Sequence, residues 1–247
     1  MRTTWAMLHM TNHDVSSPVA DGSKAWLIFS RYFDELEAIM EFRLTYAGPL
    51  YASSNSIPHP EHKHEIRKQF HVQLKRYWDI NPILKHWKAV PVDPGGIRFP
   101  EAEKKTRLEM LANDFSRGNF RFAPLATESR QAVVTLDILF LRSGIPGMVT
   151  SAGDIDGRIK TLIDALRMPK QASETGQRYQ LPDEGEDPFF CLMQDDSLVG
   201  NLSVVSDTLL QPTDGSSGYF DTHDARVVIA VSLRQFPSGN YGTISWY

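Results

Sequence analysis

The residues with the most chemical potential lie in two stretches: 153–167, GDIDGRIKTLIDALR, and 194–199, QDDSLV. Ile155, Ile159, Leu162, Ile163 and Leu166 recur at helical spacing, so Asp154 and Asp156 fall at or just before the first turn of a helix. Asp156, Lys160 and Asp164 follow one another at four-residue steps and line a neighbouring face. A second acidic pair, Asp195 and Asp196, arrives from elsewhere in the chain. Hard divalent cations such as Mg²⁺ take oxygen ligands and keep several waters, which suits a few convergent carboxylates. A lysine beside them can hold a phosphate or a developing oxyanion. Each residue alone has a plainer explanation: an Asp before a helix caps orphan N–H groups, and an Asp–Lys pair one turn apart is ordinary surface. The combination is what singles them out.

D-x-D-x₃-K-x₃-D-A-L followed by D-D-S resembles the motif of the RusA-type Holliday-junction resolvases, small phage-derived endonucleases. Here it reads Asp154, Asp156, Lys160, Asp164-Ala165-Leu166, then Asp195-Asp196-Ser197. The resemblance implies an α+β fold, a mixed β-sheet packed with helices, assembled as a homodimer. It also implies hydrolysis of phosphodiester bonds in Holliday junctions or other branched DNA, dependent on Mg²⁺ or Mn²⁺, in DNA recombination and repair. By carry-over, Asp154, Asp156, Asp195 and Asp196 would hold metal. Asp154, Asp156, Lys160 and Asp196 would be the catalytic set, with Asp196 preferred to Asp195 as a ligand. The chain departs from the family pattern twice. Gly157 stands where Asn is common, and the span from Arg167 to Asp195 is longer than usual, as an insertion over 168–188 would make it.

Two other functions compete. One is a catalytically weakened relative that binds DNA or a protein partner through the same fold. The other is a phosphatase of the haloacid-dehalogenase type, since DIDG looks like the opening of that family's nucleophile motif. The alternating strand–helix pattern of such a fold is absent from the sequence.

The elements that must position these residues follow from periodicity. Glu61 to Trp78 reads as a helix with the apolar stripe Ile66, Phe70, Leu74, Tyr77 and Trp78. Lys63, Arg67, Lys68, Lys75 and Arg76 fall largely outside that stripe, and form the expected nucleic-acid-binding face. His59, His62, His64 and His71 lack the i,i+4 pairing of a helical zinc site. Met40 opens the strand-like MEFRLTYAGPL, and Ala132 to Leu141 is a β-branched strand that carries Asp137. Ala89 to Pro100 reads as a loop, Glu101 to Phe115 as a short helix, and Arg117-Gly118-Asn119 as a turn. Residues 168–188 are polar and expected as a surface loop. The run PFFCLM brings Asp195-Asp196 towards the helix start, and Val199–Leu210 and Ala225–Leu233 suggest a hairpin. The expected organisation is an N-terminal appendage (1–39, an accessory helix or an upstream segment preceding a start at Met40), a nuclease domain (40–236) and a tail (237–247).

Composition bounds the rest. The chain has 247 residues, 41% hydrophobic and 23% charged, and no apolar run long enough to span a membrane. A lone cysteine, Cys191, in an apolar run reads as a buried thiol and excludes an intramolecular disulfide framework. With no signal-peptide pattern at the N-terminus, the cytoplasm is the default location. The net charge of −4 is unevenly spread. From His62 to Lys88 seven Lys and Arg face Glu65 and Asp79, a net of +5, whereas Glu174 to Asp196 carries a net of −6. Such a polarised molecule can present one basic surface to phosphates.

Overall fold

The computed structural model describes residues 40–54, 58–92, 105–143, 155–211 and 222–235. All belong to the second of the two units into which the chain divides, 38–247. The expected N-terminal appendage and C-terminal tail lie outside the described residues, as does Asp154.

The main sheet is built from strands whose side chains alternate. β6 (Ala132–Arg142) buries Val134, Leu136, Ile138 and Phe140 and turns Asp137 and Leu139 outward. β9 (Asp224–Gln235) does the same with Ala225, Val227, Ile229, Val231 and Leu233. The strand order is β1-β9-β6-β8, with β1 spanning Met40–Pro49 and β8 spanning Val199–Thr208. β1–β9 and β9–β6 are antiparallel, and β6–β8 is parallel. Val199–Leu210 and Ala225–Leu233 are therefore strands, as their sequences suggest, but not a hairpin, because β6 lies between them. An inner strand needs an apolar face along its whole length, which β6 has. β8 is the more polar, so it takes the edge, where most of its residues are exposed.

Helix α1 (Pro60–Ile80) begins at a proline, which lacks only an N–H that the first turn would leave orphaned. It ends at Asn81, held extended before Pro82. Asn81 then caps α2 (Pro82–Ala89), its Oδ1 accepting from Ile83 N at 3.0 Å and Leu84 N at 3.2 Å. α1 buries Ile66, Phe70, Leu74 and Trp78 against the sheet's inner side chains, in one core with Leu162, Ala165 and Leu166 of α4 (Ile155–Leu166). Each such side chain contributes about 1.5–3 kcal/mol.

A smaller layer completes the unit. α3 (Arg107–Asp114) opens with a capping box between Thr106 and Glu109 and is shorter than the sequence suggests. A tight turn at Gly118 (φ 59°) joins β4 (Ser116–Arg117) to β5 (Phe120–Ala126), which pairs in parallel with β7 (Phe189–Met193). Phe120, Phe122, Met168, Phe189 and Cys191 form its core. Burial pushes the Cys191 thiol up to about 12, the structural role its sequence context suggests. Pro91–Val92 and Lys105–Thr106, labelled β2 and β3, form a minimal ladder beside it. Among the described strands only β6–β8 and β5–β7 are parallel, unlike the doubly wound sheet that the phosphatase alternative expects.

Candidate functional site

The start of α4 is fixed from several sides. Gly157 is buried, and its carbonyl accepts from Ser53 N at 3.1 Å. Thr161 Oγ lies 2.7 Å from Ser53 Oγ and 2.8 Å from Tyr51 O, tying the helix to the segment after β1. On this anchored turn Asp156 and, one turn on, Lys160 are exposed. The next member of the series turns inward. Asp164 bonds Lys63 Nζ at 2.6 Å and Arg167 at 3.0 Å. Burial opposes its ionisation, but those two cations outweigh it and hold the carboxyl below its usual range. Asp164 is thus a joint between α1 and α4.

Asp195 and Asp196 lie near the other end of α4. Met168 N donates to Met193 O at 2.9 Å, and Lys170 Nζ sits 2.9 Å from both carboxylates. Asp195 also accepts from Ser197 N at 3.0 Å. Burial opposes its charge, yet the bonds from Ser197 and Lys170 hold its carboxyl well below the ordinary range. The helix itself is ~18 Å long, with Asp156 in its first turn and the pair held by Lys170 beyond its last. The run FFCLM is a strand as expected, but it delivers the pair to the end of α4 rather than its start. One chain therefore does not converge Asp156 with Asp195 and Asp196. Among the described residues no three His, Cys, Asp or Glu side chains form a group able to hold a metal ion. Asp137 lies on an inner strand and faces outward.

The five cations of the expected nucleic-acid face of α1 differ in their surroundings, and one of them, Arg67, is not on the surface. Arg67 is fully buried: its Nε donates to Arg167 O at 3.1 Å and a terminal nitrogen donates to Asp164 O at 2.9 Å. Burial, then the charge of Arg167, lowers its pKa to about 10. Lys63 is held by Asp164. Lys68 pairs with Asp183 and, at 3.0 Å, with Glu186. Lys75 Nζ donates to Gly185 O at 2.7 Å. The polar stretch 168–188 is largely exposed, as expected, but it is strapped along α1. It is fixed also by Gln177 N to Glu61 at 3.0 Å and by Tyr179 OH to Glu65 at 3.0 Å. Of the five cations, Arg76 alone is exposed. Two of the four histidines serve packing. His64 and His71 are buried against Phe189, and His71 Nδ1 accepts from Phe190 N at 2.8 Å.

A cationic corner that the sequence does not advertise forms elsewhere. Arg130 lies 4.4 Å and Arg107 5.9 Å from the ring centre of buried Trp87. The three come from α2, α3 and the turn before β6, so no local spacing announces them.

The fold and these sites define a mixed α+β unit with an acid-bearing helix and a separate arginine corner. Set against protein-family models, curated proteins and solved structures, the chain matches none. No described helix is long and apolar enough to cross a membrane.

Proposed function

We propose that the chain is a metal-dependent endodeoxyribonuclease of the RusA type, acting on Holliday junctions or other branched DNA as a homodimer. One observation carries the reading. The first motif, described from Asp156 on, lies on α4, and D-D-S leads into β8, which pairs in parallel with β6, the strand that precedes α4 in the chain. The resemblance implies a D-D-S at the start of a strand after the first motif, and here D-D-S leads directly into β8. The described carboxylates of one protomer do not fit a shared divalent ion, so no catalytic step is assigned to one. On this reading the ion needs Asp154 with Asp156 at one end of α4, and Asp195 or Asp196 brought to it by a second protomer. Lys160, exposed beside Asp156, is then placed to stabilise charge at the phosphate.

The test is nicking of a synthetic four-way junction with Mg²⁺, Mn²⁺ or neither. Asp154→Asn, Asp156→Asn and Asp196→Asn should each lower cleavage at least ~100-fold, the order expected for loss of a charged catalytic element. Junction binding in Ca²⁺ should persist or tighten as negative charge facing phosphate is removed. Mixing the Asp156→Asn and Asp196→Asn proteins should restore part of the activity if the two ends meet across a dimer. An active wild type that tolerates all three substitutions would show that these carboxylates are helix caps and surface charge.

The separation of the acids, with Lys170 bound to both Asp195 and Asp196, favours a second reading: a RusA-like protein of weakened catalysis that binds DNA or a protein partner. A wild type that binds junctions but cuts with neither metal selects it.

A further inference from the structure

We propose that the corner formed by Trp87, Arg107 and Arg130 is a binding site for a phosphate group, free or within a nucleic-acid backbone. The corner holds donors that no described residue takes up. A guanidinium has five N–H groups and normally spends them on carboxylates or carbonyls. Arg107 makes no hydrogen bond among the described residues, and its Nε is buried without a partner. Arg130 makes a single long bond, to Leu125 O at 3.4 Å. Both are held beside the indole of Trp87, itself only 4% exposed, so the ring fixes where the two forks sit.

The charge is equally unbalanced. No carboxylate forms an ion pair with either arginine among the described residues. Glu109, two residues from Arg107, spends its carboxylate on the Thr106 capping box, and Glu128, two residues from Arg130, is exposed to solvent. Burial lowers the pKa of Arg107, and burial followed by the charge of Arg107 lowers that of Arg130 to about 10. Two like charges sharing one partly desolvated place are costly unless an anion joins them. Arg234 adds a third guanidinium at a recess that Trp87 and Arg130 also line. The recess holds only about 30 Å³, roughly one water molecule, so the anion rests at its rim. Among anions, a phosphate matches planar N–H forks bidentately and presents enough oxygens for more than one of them.

The nucleic-acid arm of this proposal rests on the DNA-acting reading above, whereas the free-phosphate arm does not. The test therefore uses the full chain in EDTA, where cleavage plays no part. Thermal unfolding is compared in sodium phosphate and in sodium chloride of matched ionic strength. Binding to labelled duplex and four-way-junction DNA is followed by anisotropy across salt concentrations. Phosphate should raise the wild-type melting temperature, and Arg107→Gln with Arg130→Gln should weaken phosphate binding at least ten-fold. If the site serves DNA, the double variant should also flatten the log-affinity against log-salt slope by about 0.9 for each DNA phosphate it no longer neutralises. Phosphate stabilisation lost in the variant with an unchanged DNA slope assigns the site to free phosphate. Arg107→Gln alone removes a side chain with no hydrogen bond to lose, so it keeps the test valid if the double variant unfolds. A wild type indifferent to phosphate, or variants that bind phosphate and DNA as the wild type does, would reduce the corner to cation–aromatic packing and overturn the proposal. Failure to cut junctions in Mg²⁺ would instead sink the nuclease reading and leave this result standing.

Discussion

The cations of α1 and those around Trp87 stand in opposite conditions. On α1, Lys63 and Lys68 each meet a carboxylate, while Arg67 and Lys75 donate to backbone carbonyls. Around Trp87, two guanidiniums share one aromatic ring and, among the described residues, a single long hydrogen bond. The helix carries the denser run of positive charge, yet the corner has more positive charge left to offer. A count of cations in a stretch measures supply, and availability is decided by what the rest of the chain lays over them.

The largest effect should come from breaking the neutralised side of this contrast at its buried joint. Asp164→Asn leaves Lys63 and Arg167 facing a neutral amide at side chains only 14% and 8% exposed. Stripping one partner from such a network costs about 3–5 kcal/mol, readable as a lower urea midpoint at unchanged slope. A loss under ~1 kcal/mol would mean the α1–α4 joint is solvated and the contrast overstated.

Acid should act on the same helix more gradually. Burial, reinforced by Arg67 and Lys68, pushes His64 down to about 3, and burial also lowers His71. The folded state then binds fewer protons than the unfolded chain, whose histidines titrate near ~6.5. Their contribution to stability is complete above that value and declines as pH falls through the interval towards about 3. His64→Phe, set among Phe120, Tyr179 and Phe189, should flatten the dependence of melting temperature on pH between about 6.5 and 4. An unaltered slope would place the acid sensitivity elsewhere.

The smallest expected effect is the sharpest for the comparison. Lys68→Ala with Lys75→Ala should leave the salt dependence of DNA binding as it is, because both lysines are already engaged by residues 183–186. A slope reduced by nearly two units, at about 0.9 per phosphate, would show that the strap yields to DNA and that α1 is an interface after all.

Much of the fold is legible in the sequence because its signals are local. The stripes of α1 and α4 and the alternation of β6 follow from one-face burial, and each forms where its spacing places it. Strand partners are not local. β8 and β9 follow one another in sequence, and only the stronger apolar alternation of β6 decides that it enters between them. The burial of Arg67 is hidden from the sequence because its acceptors, Asp164 O and Arg167 O, lie far along the chain. The basic and acidic runs are visible as complements, and the basic one meets the chain's own carboxylates before any foreign phosphate. Asp156 and Asp196 look like neighbours because a motif has no length, while the helix between them does.

The place of β9 in the sheet bears on how the molecule is made. Among the described strands β1 pairs with β9 alone, and β9 also covers one side of β6. On the ribosome the first of these strands must therefore wait for the last, with its hydrogen-bonding edge unpaired until residues 224–235 emerge. A message truncated before that point would yield α1, α4 and the β6–β8 pair with an open strand edge, which is a template for association between nascent chains.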